Sequence, residues 1–411
     1  MSQPTAVGTP IETLWRNRAF LRLWLAQAIS NSGTAITTVA LPLTAVLILG
    51  ATPTQMGLLG MASSLPNLCF GLIAGVWVDR TRRRPLLVGA DLGRALLLGS
   101  IPVAAWLGHV TLLQLWVVTF LVGTLTVFFQ IASIAVLPAL VDNTQLVEAN
   151  SKLSISDAVI SIGGPGVAGG LVQLMSAPSA VIIDAISYLL SAFALGGIGT
   201  AEPVPTRRES HLWAEISEGI HELIRTPLLK TLTITSSLGM LAGGLENTVL
   251  VLFLARTLHF TPATIGIVFA CGGVGSLVGA LLNHWITQQL RIGPTLLLGK
   301  GLCIVSGLLT VLAGLWGYAF LLIATGAVLT GIGSSFYFVN QVSLRQALTA
   351  LHLLGRVTAA RRFILFGMAV LGAALGGLLG EWLGLRATLL VSVVALLGEL
   401  LLIYASPIRQ A

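Results

Sequence analysis

The 411-residue chain is 55% hydrophobic and only 9% charged, with a mean hydropathy of +0.93. A soluble domain carries roughly a quarter charged residues, so this composition excludes a water-covered globule and points to lipid as the surrounding solvent. The net charge of +7 does not indicate a nucleic-acid partner, because the basic residues are scattered over short loops with no polar domain to display them.

A membrane-spanning helix needs about 20 mostly apolar residues. Splitting the chain at charges, prolines and glycines predicts twelve such spans: 19–49, 54–78, 86–108, 111–137, 152–175, 178–200, 228–257, 262–285, 294–316, 318–346, 356–382 and 386–406. The apolar–polar alternation of barrel strands is missing from these runs. The fold class is therefore an all-α membrane protein of twelve transmembrane helices. Residues 1–18 are polar and basic, and the apolar run after them is too long for the core of a secretory signal.

A charge at the centre of a spanning helix costs about 2.5–3.5 kcal/mol, so each polar group within the spans needs a reason. The first span holds Gln27, Asn31 and Thr34. Between the second and third, GVWVDRTRRRP (75–85) sets Arg80, Arg82, Arg83 and Arg84 behind Asp79. In the third span Asp91 and Arg94 are three residues apart on one face, close enough to pair. The fourth brings Phe128, Phe129 and Gln130; Asp157 in the fifth and Asp184 in the sixth read as interfacial or locking groups.

Also in the fifth span, GPGVAG (Gly164–Gly169) has the spelling of a dinucleotide loop, but no strand precedes it. With Gly170 it reads as a close-packing surface bent at Pro165. The longest polar segment, Glu202–Thr226, contains HLWAEISEGIHELIRTP. There Leu212, Trp213, Ile216, Ile220, Leu223 and Ile224 recur at helical spacing opposite glutamates, which predicts an amphipathic helix on the membrane surface. His211 and His221 on it need no metal. Glu246 lies deep in the seventh span beside Asn247 and is the foremost candidate for protonation or cation binding; the alternative is a carboxylate bonded to a neighbouring helix. Lys300 in the ninth span is placed to snorkel. The tenth offers Phe336, Tyr337, Asn340 and Gln341, and the twelfth carries Glu399.

Cys69, Cys271 and Cys303 all lie in apolar stretches and read as packing residues, with no disulfide framework and no metal spacing. Phosphate-loop and hydrolase motifs are missing, so neither ATP as direct fuel, nor a cofactor, nor an enzyme activity is expected. Basic residues collect on one side of the chain's path, at Arg16, Arg18 and Arg22, at Arg80–Arg84, at Arg207, Arg208, Arg225 and Lys230, and at the ends holding Arg345, Arg356, Arg361 and Arg362. Only Arg256 and Arg386 fall opposite, which places both termini in the cytoplasm.

The polar segment divides the chain into residues 1–200, a cytoplasmic linker 201–227, and residues 228–411. The two parts echo one another: GLIAGVWVDR (71–80) matches GSLVGALLNH (275–284), and Gly169-Gly170 matches Gly376-Gly377. Paired six-helix repeats of like topology form a class of secondary transporter whose substrate site lies between the halves near mid-membrane.

The chain resembles the major facilitator superfamily over nearly its whole length. Gly75, Asp79, Arg80 and Arg83/Arg84 fall on that family's Gly-x-x-x-Asp-Arg-x-x-Arg-Arg signature, although Arg82 replaces its glycine and Asn283-His284 take the Asp-Arg places in the second half. DLGRALLLGSIP, LVEANSKL and LLGRVTAARR are similar to the drug, macrolide and siderophore exporter branch. The resemblance implies two pseudo-symmetric six-helix bundles and a conformational latch at Gly75, Asp79, Arg80, Arg83 and Arg84; Asp91 and Arg94 are counted with it, with a purely structural pairing as the alternative. It also implies a cavity lined by the first, fourth, seventh and tenth helices. Here these offer Gln27, Asn31, Thr34, Phe128, Phe129, Gln130, Glu246, Asn247, Phe336, Tyr337, Asn340 and Gln341, each with the alternative of bonding helix to helix. Gly164, Pro165, Gly169 and Gly170 resemble the family's fifth-helix antiporter motif, with one residue inserted. Glu399, on a helix that the family keeps outside the cavity, is not expected in transport. The fourth span lacks the arginine of many proton-driven relatives.

The expected function is export of small amphipathic or lipophilic molecules by alternating access, coupled to protons, by a monomer in a bacterial cytoplasmic membrane. Import or facilitated passage of a metabolite, and a non-transporting membrane sensor on the same fold, are the alternatives.

Overall fold

The computed structural model describes residues 14–199, 212–315, 317–350 and 353–410, and among them the chain forms helices and no strands. Before the linker run α1 (Arg18–Leu43), α2 (Pro53–Phe70), α3 (Ile73–Arg80), α4 (Arg83–Trp106), α5 (Leu112–Leu140), α6 (Leu146–Met175) and α7 (Ala177–Gly196). Then come α8 (Leu212–Arg225), α9 (Pro227–Leu252), α10 (Pro262–Leu290), α11 (Ile292–Leu312), α12 (Ala319–Leu348), α13 (Leu354–Trp382) and α14 (Leu385–Ala405).

Eleven helices among the described residues are long and apolar enough to cross a membrane. The second predicted span is divided between α2 and α3. The chain turns at Gly71, where a β-carbon would stand 2.4 Å from the Asn67 carbonyl oxygen, so only glycine fits. Cap chemistry sets some of the other starts. Thr52 and Thr261 each accept a backbone N–H through their hydroxyl, and Pro53 and Pro262 follow as the first helical residue, where no N–H is needed. Both α1 and α9 end in a π-helical turn, Thr44–Ile48 and Phe253–Thr257.

α1 packs on α6 and α7, α4 on α5 and α7, and α5 on α2; after the linker, α9 packs on α13 and α14, α10 on α12, and α11 on α12 and α14. The chain before residue 201 meets the chain after residue 227 chiefly at two crossings, α2 with α13 and α6 with α10, with a smaller contact of α2 on α9. Both crossings are glycine contacts. A β-carbon on Gly57 would lie 3.0 Å from Gly377 Cα, and one on Gly169 would lie 2.8 Å from Gly266 Cα.

These crossings fix the repeat register: Pro53 and Gly57 against Gly377 correspond to Pro262 and Gly266 against Gly169. Gly71 then falls opposite Ala280, not Gly275, so the predicted echo of GLIAGVWVDR was out of register. A string of similar small residues slides easily in a sequence comparison, whereas caps and crossings do not.

The core is lopsided. Where α1 turns into α2 and α9 into α10, one cluster draws on both parts of the chain, from Val39, Leu43, Met56, Leu98 and Val172 to Val249, Phe253, Ile265 and Leu389. At the opposite end, Leu23, Leu87, Phe129 and Leu140 form one core and Leu232, Leu296 and Leu344 another, with no member in common. α8 docks at that end on α9 and α13, with Leu223 buried among Leu229, Val357 and Ala360. That part of its apolar face rests on protein and not on lipid. The residues before Leu212 and the side chains of Leu212, Trp213 and Ile216 lie outside the described residues.

Candidate functional site

A buried charge cluster ties α4 to α7, and another ties α11 to α14. In the first, Asp91 and Arg94 pair on α4, and Ser191 Oγ on α7 donates to Asp91 Oδ2 at 2.6 Å. The Arg94 guanidinium is held between the rings of Phe129 on α5 and Tyr188 on α7, 4.2 Å from each centroid. Two turns earlier on α7, the fully buried Asp184 accepts hydroxyls from Thr37 of α1 and from Ser187. Of the two readings offered for it, interfacial or locking, its burial and its bond from α1 fit the second.

In the second cluster, Lys300 Nζ on α11 lies 2.8 Å from Glu399 Oε2 on α14 and 3.8 Å above the ring of Tyr337 on α12. Lys300 therefore does not snorkel; its side chain is 10% exposed and is held by the buried acid. The clusters occupy corresponding places. Asp91 matches Lys300 in the register of Pro53 and Pro262, while Ser191 matches Glu399 and Phe129 matches Tyr337 in that of Gly169 and Gly377. Thr37 likewise matches Glu246.

Many predicted cavity residues bond or pack helix to helix in this conformation. Thr34 Oγ1 is 2.8 Å from Tyr188 Oη, and Asn31 Nδ2 donates to Asp157 Oδ1 at 2.7 Å. Phe128 faces Trp77 and Phe70 edge-on or tilted, with centroids 5.4 and 6.2 Å away. Phe129 and Phe336 are buried, and Asn340 Nδ2 donates to Asn283 on α10 at 2.7 Å. Gln130 and Asn247 are exposed, while Gln27 and Glu246 are half-buried. The Glu246 carboxylate has no hydrogen-bond or ion-pair partner among the described residues.

At the predicted latch, Arg83 Nη1 donates to the Ala135 carbonyl at 2.7 Å and Arg84 donates to that of Gly196. Both arginines thus grip the ends of neighbouring helices, with Arg80 exposed. A β-carbon on Gly75 would meet nothing within 4 Å. The Asp79 side chain lies outside the described residues. In α6, Gly164 packs on Ala35 of α1, Pro165 presents its carbonyl to Gly266, Gly169 makes the crossing, and Gly170 faces open space.

Two residues were missed by the sequence reading. Arg361 was assigned to a loop end but is buried inside α13, with Nη2 donating to Ser236 Oγ on α9 at 2.7 Å. Ser236 Oγ in turn lies 2.8 Å from Tyr337 Oη. The available signal was its position, seven residues inside the helix that starts at Leu354.

The sequence profile of the Major Facilitator Superfamily matches residues 23–366. The chain belongs to that superfamily. Within it, the chain is 27% identical to the multidrug efflux pump Tap of Mycolicibacterium fortuitum over 95% of this chain and 96% of Tap. It is 25% identical to macrolide efflux protein A of Streptococcus pyogenes, covering 91% and 92%. In fold, this superfamily member resembles a variant of the nucleoside transporter NupG, with a TM-score of 0.79 at 12% identity over 94% and 99% of the two chains. It also resembles a bacterial homologue of the iron transporter ferroportin at 18% identity over 94% and 98%. Against that homologue the TM-score is 0.74 for the inward-facing state and 0.60 for the outward-facing state.

Proposed function

We propose that this superfamily member is a proton-coupled exporter of small amphipathic or lipophilic molecules. It works as a monomer in a bacterial cytoplasmic membrane, with twelve spans and both termini inside. Residues 1–200 and 228–411 form the two rocking halves, joined by the linker 201–227.

The observation that carries this reading is the one-sided closure. A single shared apolar core joins the halves at one end, while at the other their cores are separate and a polar contact, Arg362 Nη2 on α13 to Asn67 Oδ1 on α2 at 2.9 Å, bridges them. Alternating access requires two such states, with the seal moving from end to end. With the termini inside, the sealed end is the outer one, and the higher TM-score against an inward-facing neighbour agrees. The two named efflux relatives support export.

Glu246 is the proton carrier in this reading, a half-buried acid without a partner on α9, one turn from Val249 of the shared core. Gln27, Asn31, Phe128, Gln130, Asn247 and Tyr337 supply cavity surface, and Thr34, Phe129, Phe336, Asn340 and Gln341 join it as the halves rock. Gly75, Asp79, Arg80, Arg83 and Arg84 latch the opposite state.

Proteoliposomes with an imposed pH gradient and a fluorescent lipophilic cation test the proposal. Gradient-driven movement is expected in the wild type, and Glu246→Gln should abolish it while still inserting. Equal movement in that variant removes Glu246 from the mechanism. Downhill uptake of a nucleoside without any response to the gradient would favour a facilitator instead, a reading that the nucleoside-transporter neighbour keeps in view.

A further inference from the structure

Hydrogen-bond donors without acceptors gather at the unsealed end of the chain after the linker. On α12, Tyr337, Gln341 and Arg345 follow at intervals of four, so their side chains share one helix face. That face is turned to α9, because Tyr337 Oη meets Ser236 there. Arg361 reaches the same Ser236 from α13, and Arg345 is its electrostatic neighbour. Gln341 is 4% exposed and Arg361 5%. Even so, Gln341 Nε2, Arg361 Nε and Arg345 Nε are buried without an acceptor, as is Ser237 Oγ on α9.

No carboxylate among the described residues pairs with either guanidinium. The acids of this region are already engaged, Glu399 with Lys300 and Glu218 with Arg356. The Arg361 guanidinium and the Gln341 amide are therefore held in a low-dielectric site, with the partly covered Arg345 beside them and no counter-charge. A protein retains such groups when something else completes them. What satisfies all three at once is an oxyanion, whose lone pairs match the planar fork of a guanidinium. Arg361 lies about 10 Å inside its helix at 1.5 Å per residue. Arg345, near the end of α12, is only partly covered, so the cluster opens on that side.

We propose that Arg361, Arg345 and Gln341 form a binding site for an oxyanion, the phosphate or carboxylate headgroup of an amphipathic molecule. The headgroup enters past Arg345 and is gripped by Arg361 and the Gln341 amide between α9, α12 and α13. Its source is a membrane lipid or a soluble amphiphile. The site stands whether or not the protein exports anything.

Binding is read as the thermal midpoint of the full-length protein in nanodiscs, with chloride holding the ionic strength constant. In phosphatidylcholine discs, inorganic phosphate and decanoate test the soluble source; discs containing phosphatidylglycerol test the lipid source. Either anion should raise the wild-type midpoint saturably, and the arm that does so names the source. Arg361→Gln, Arg345→Gln and Gln341→Leu should each weaken the response about tenfold or more, whereas Arg409→Gln should not. The three variants guard against one failing to fold. Lack of response in both arms, or equal responses in the cluster variants and the wild type, would overturn the proposal.

Discussion

Lys300 and Glu399 illustrate what a buried ion pair does in this chain. Removing one partner strands a charge that nothing nearby can neutralise, since the remaining side chain is almost fully enclosed. Lys300→Met is expected to lose about 3–5 kcal/mol of stability. The double variant Lys300→Met/Glu399→Leu should recover most of that loss, because replacing both charges by apolar groups removes the desolvation cost along with the attraction. Denaturant unfolding in detergent of the wild type, Lys300→Met, Glu399→Leu and the double variant, treated as a double-mutant cycle, checks both expectations. A double variant as unstable as the single one would mean that the pair holds α11 to α14 by its charge. Of these residues, sequence reading found only that the charges were there. Lys300 and Glu399 are almost a hundred positions apart, and no local pattern announces a partner at that distance. Asp91 and Arg94 were legible because their partnership is written within one helical turn.

Elements are held together by absent side chains as much as by present ones. A β-carbon on Gly266 would stand 2.5 Å from the Pro165 carbonyl oxygen and 2.8 Å from Gly169 Cα, so Gly266→Ala must push α10 away from α6. Overpacking of this kind costs about 1–3 kcal/mol, here charged to the conformation with the sealed end. A lowered thermal midpoint would register it. Similarly, a β-carbon on Gly219 would lie 2.4 Å from the Arg356 carbonyl oxygen, where α8 rests on α13. Gly219→Val should lift the linker helix off its support and speed limited proteolysis around it, while the spanning helices stay protected. Cleavage at the wild-type rate would show that Leu223 and the Glu218–Arg356 pair hold α8 without the close approach. Sequence reading identified α8 as amphipathic from its periodicity, but periodicity names an apolar face and not what covers it. The break between α2 and α3 was likewise hidden, since Gly71 is one of 46 glycines and only the Asn67 carbonyl beside it makes this one obligatory.

At the scale of the whole molecule, the seal at one end is the feature that the proposed alternating-access cycle must undo. Ala51 lies fully buried within it, whereas His109 is exposed on the connection between α4 and α5 at the same end. In a background with Cys69, Cys271 and Cys303 replaced by serine, Ala51→Cys should react with an impermeant maleimide far more slowly than His109→Cys. Adding Gly266→Ala, or imposing a transport gradient, should raise the Ala51→Cys rate and leave the His109→Cys rate unchanged. Equal rates for the two cysteines at rest would mean that this end is open in the membrane.

Composition and hydropathy alone determined that this chain lives in lipid as a helical protein, because a chain with so few charges has no other solvent and unpaired backbone no other refuge there. The Asp79–Arg84 signature and the repeated six-span pattern carried the superfamily resemblance, since topology and turn chemistry are local. Tertiary structure decided the rest. It set the true register of the repeat, buried Lys300 against Glu399, drew Arg361 inside the bundle, turned Thr34 and Phe129 toward neighbouring helices, and closed one end. The physical reason is common to all of these: they depend on which helix faces which across tens to hundreds of residues. In a chain that is apolar on nearly every face, the hydropathy pattern does not distinguish the side that meets lipid from the side that meets protein.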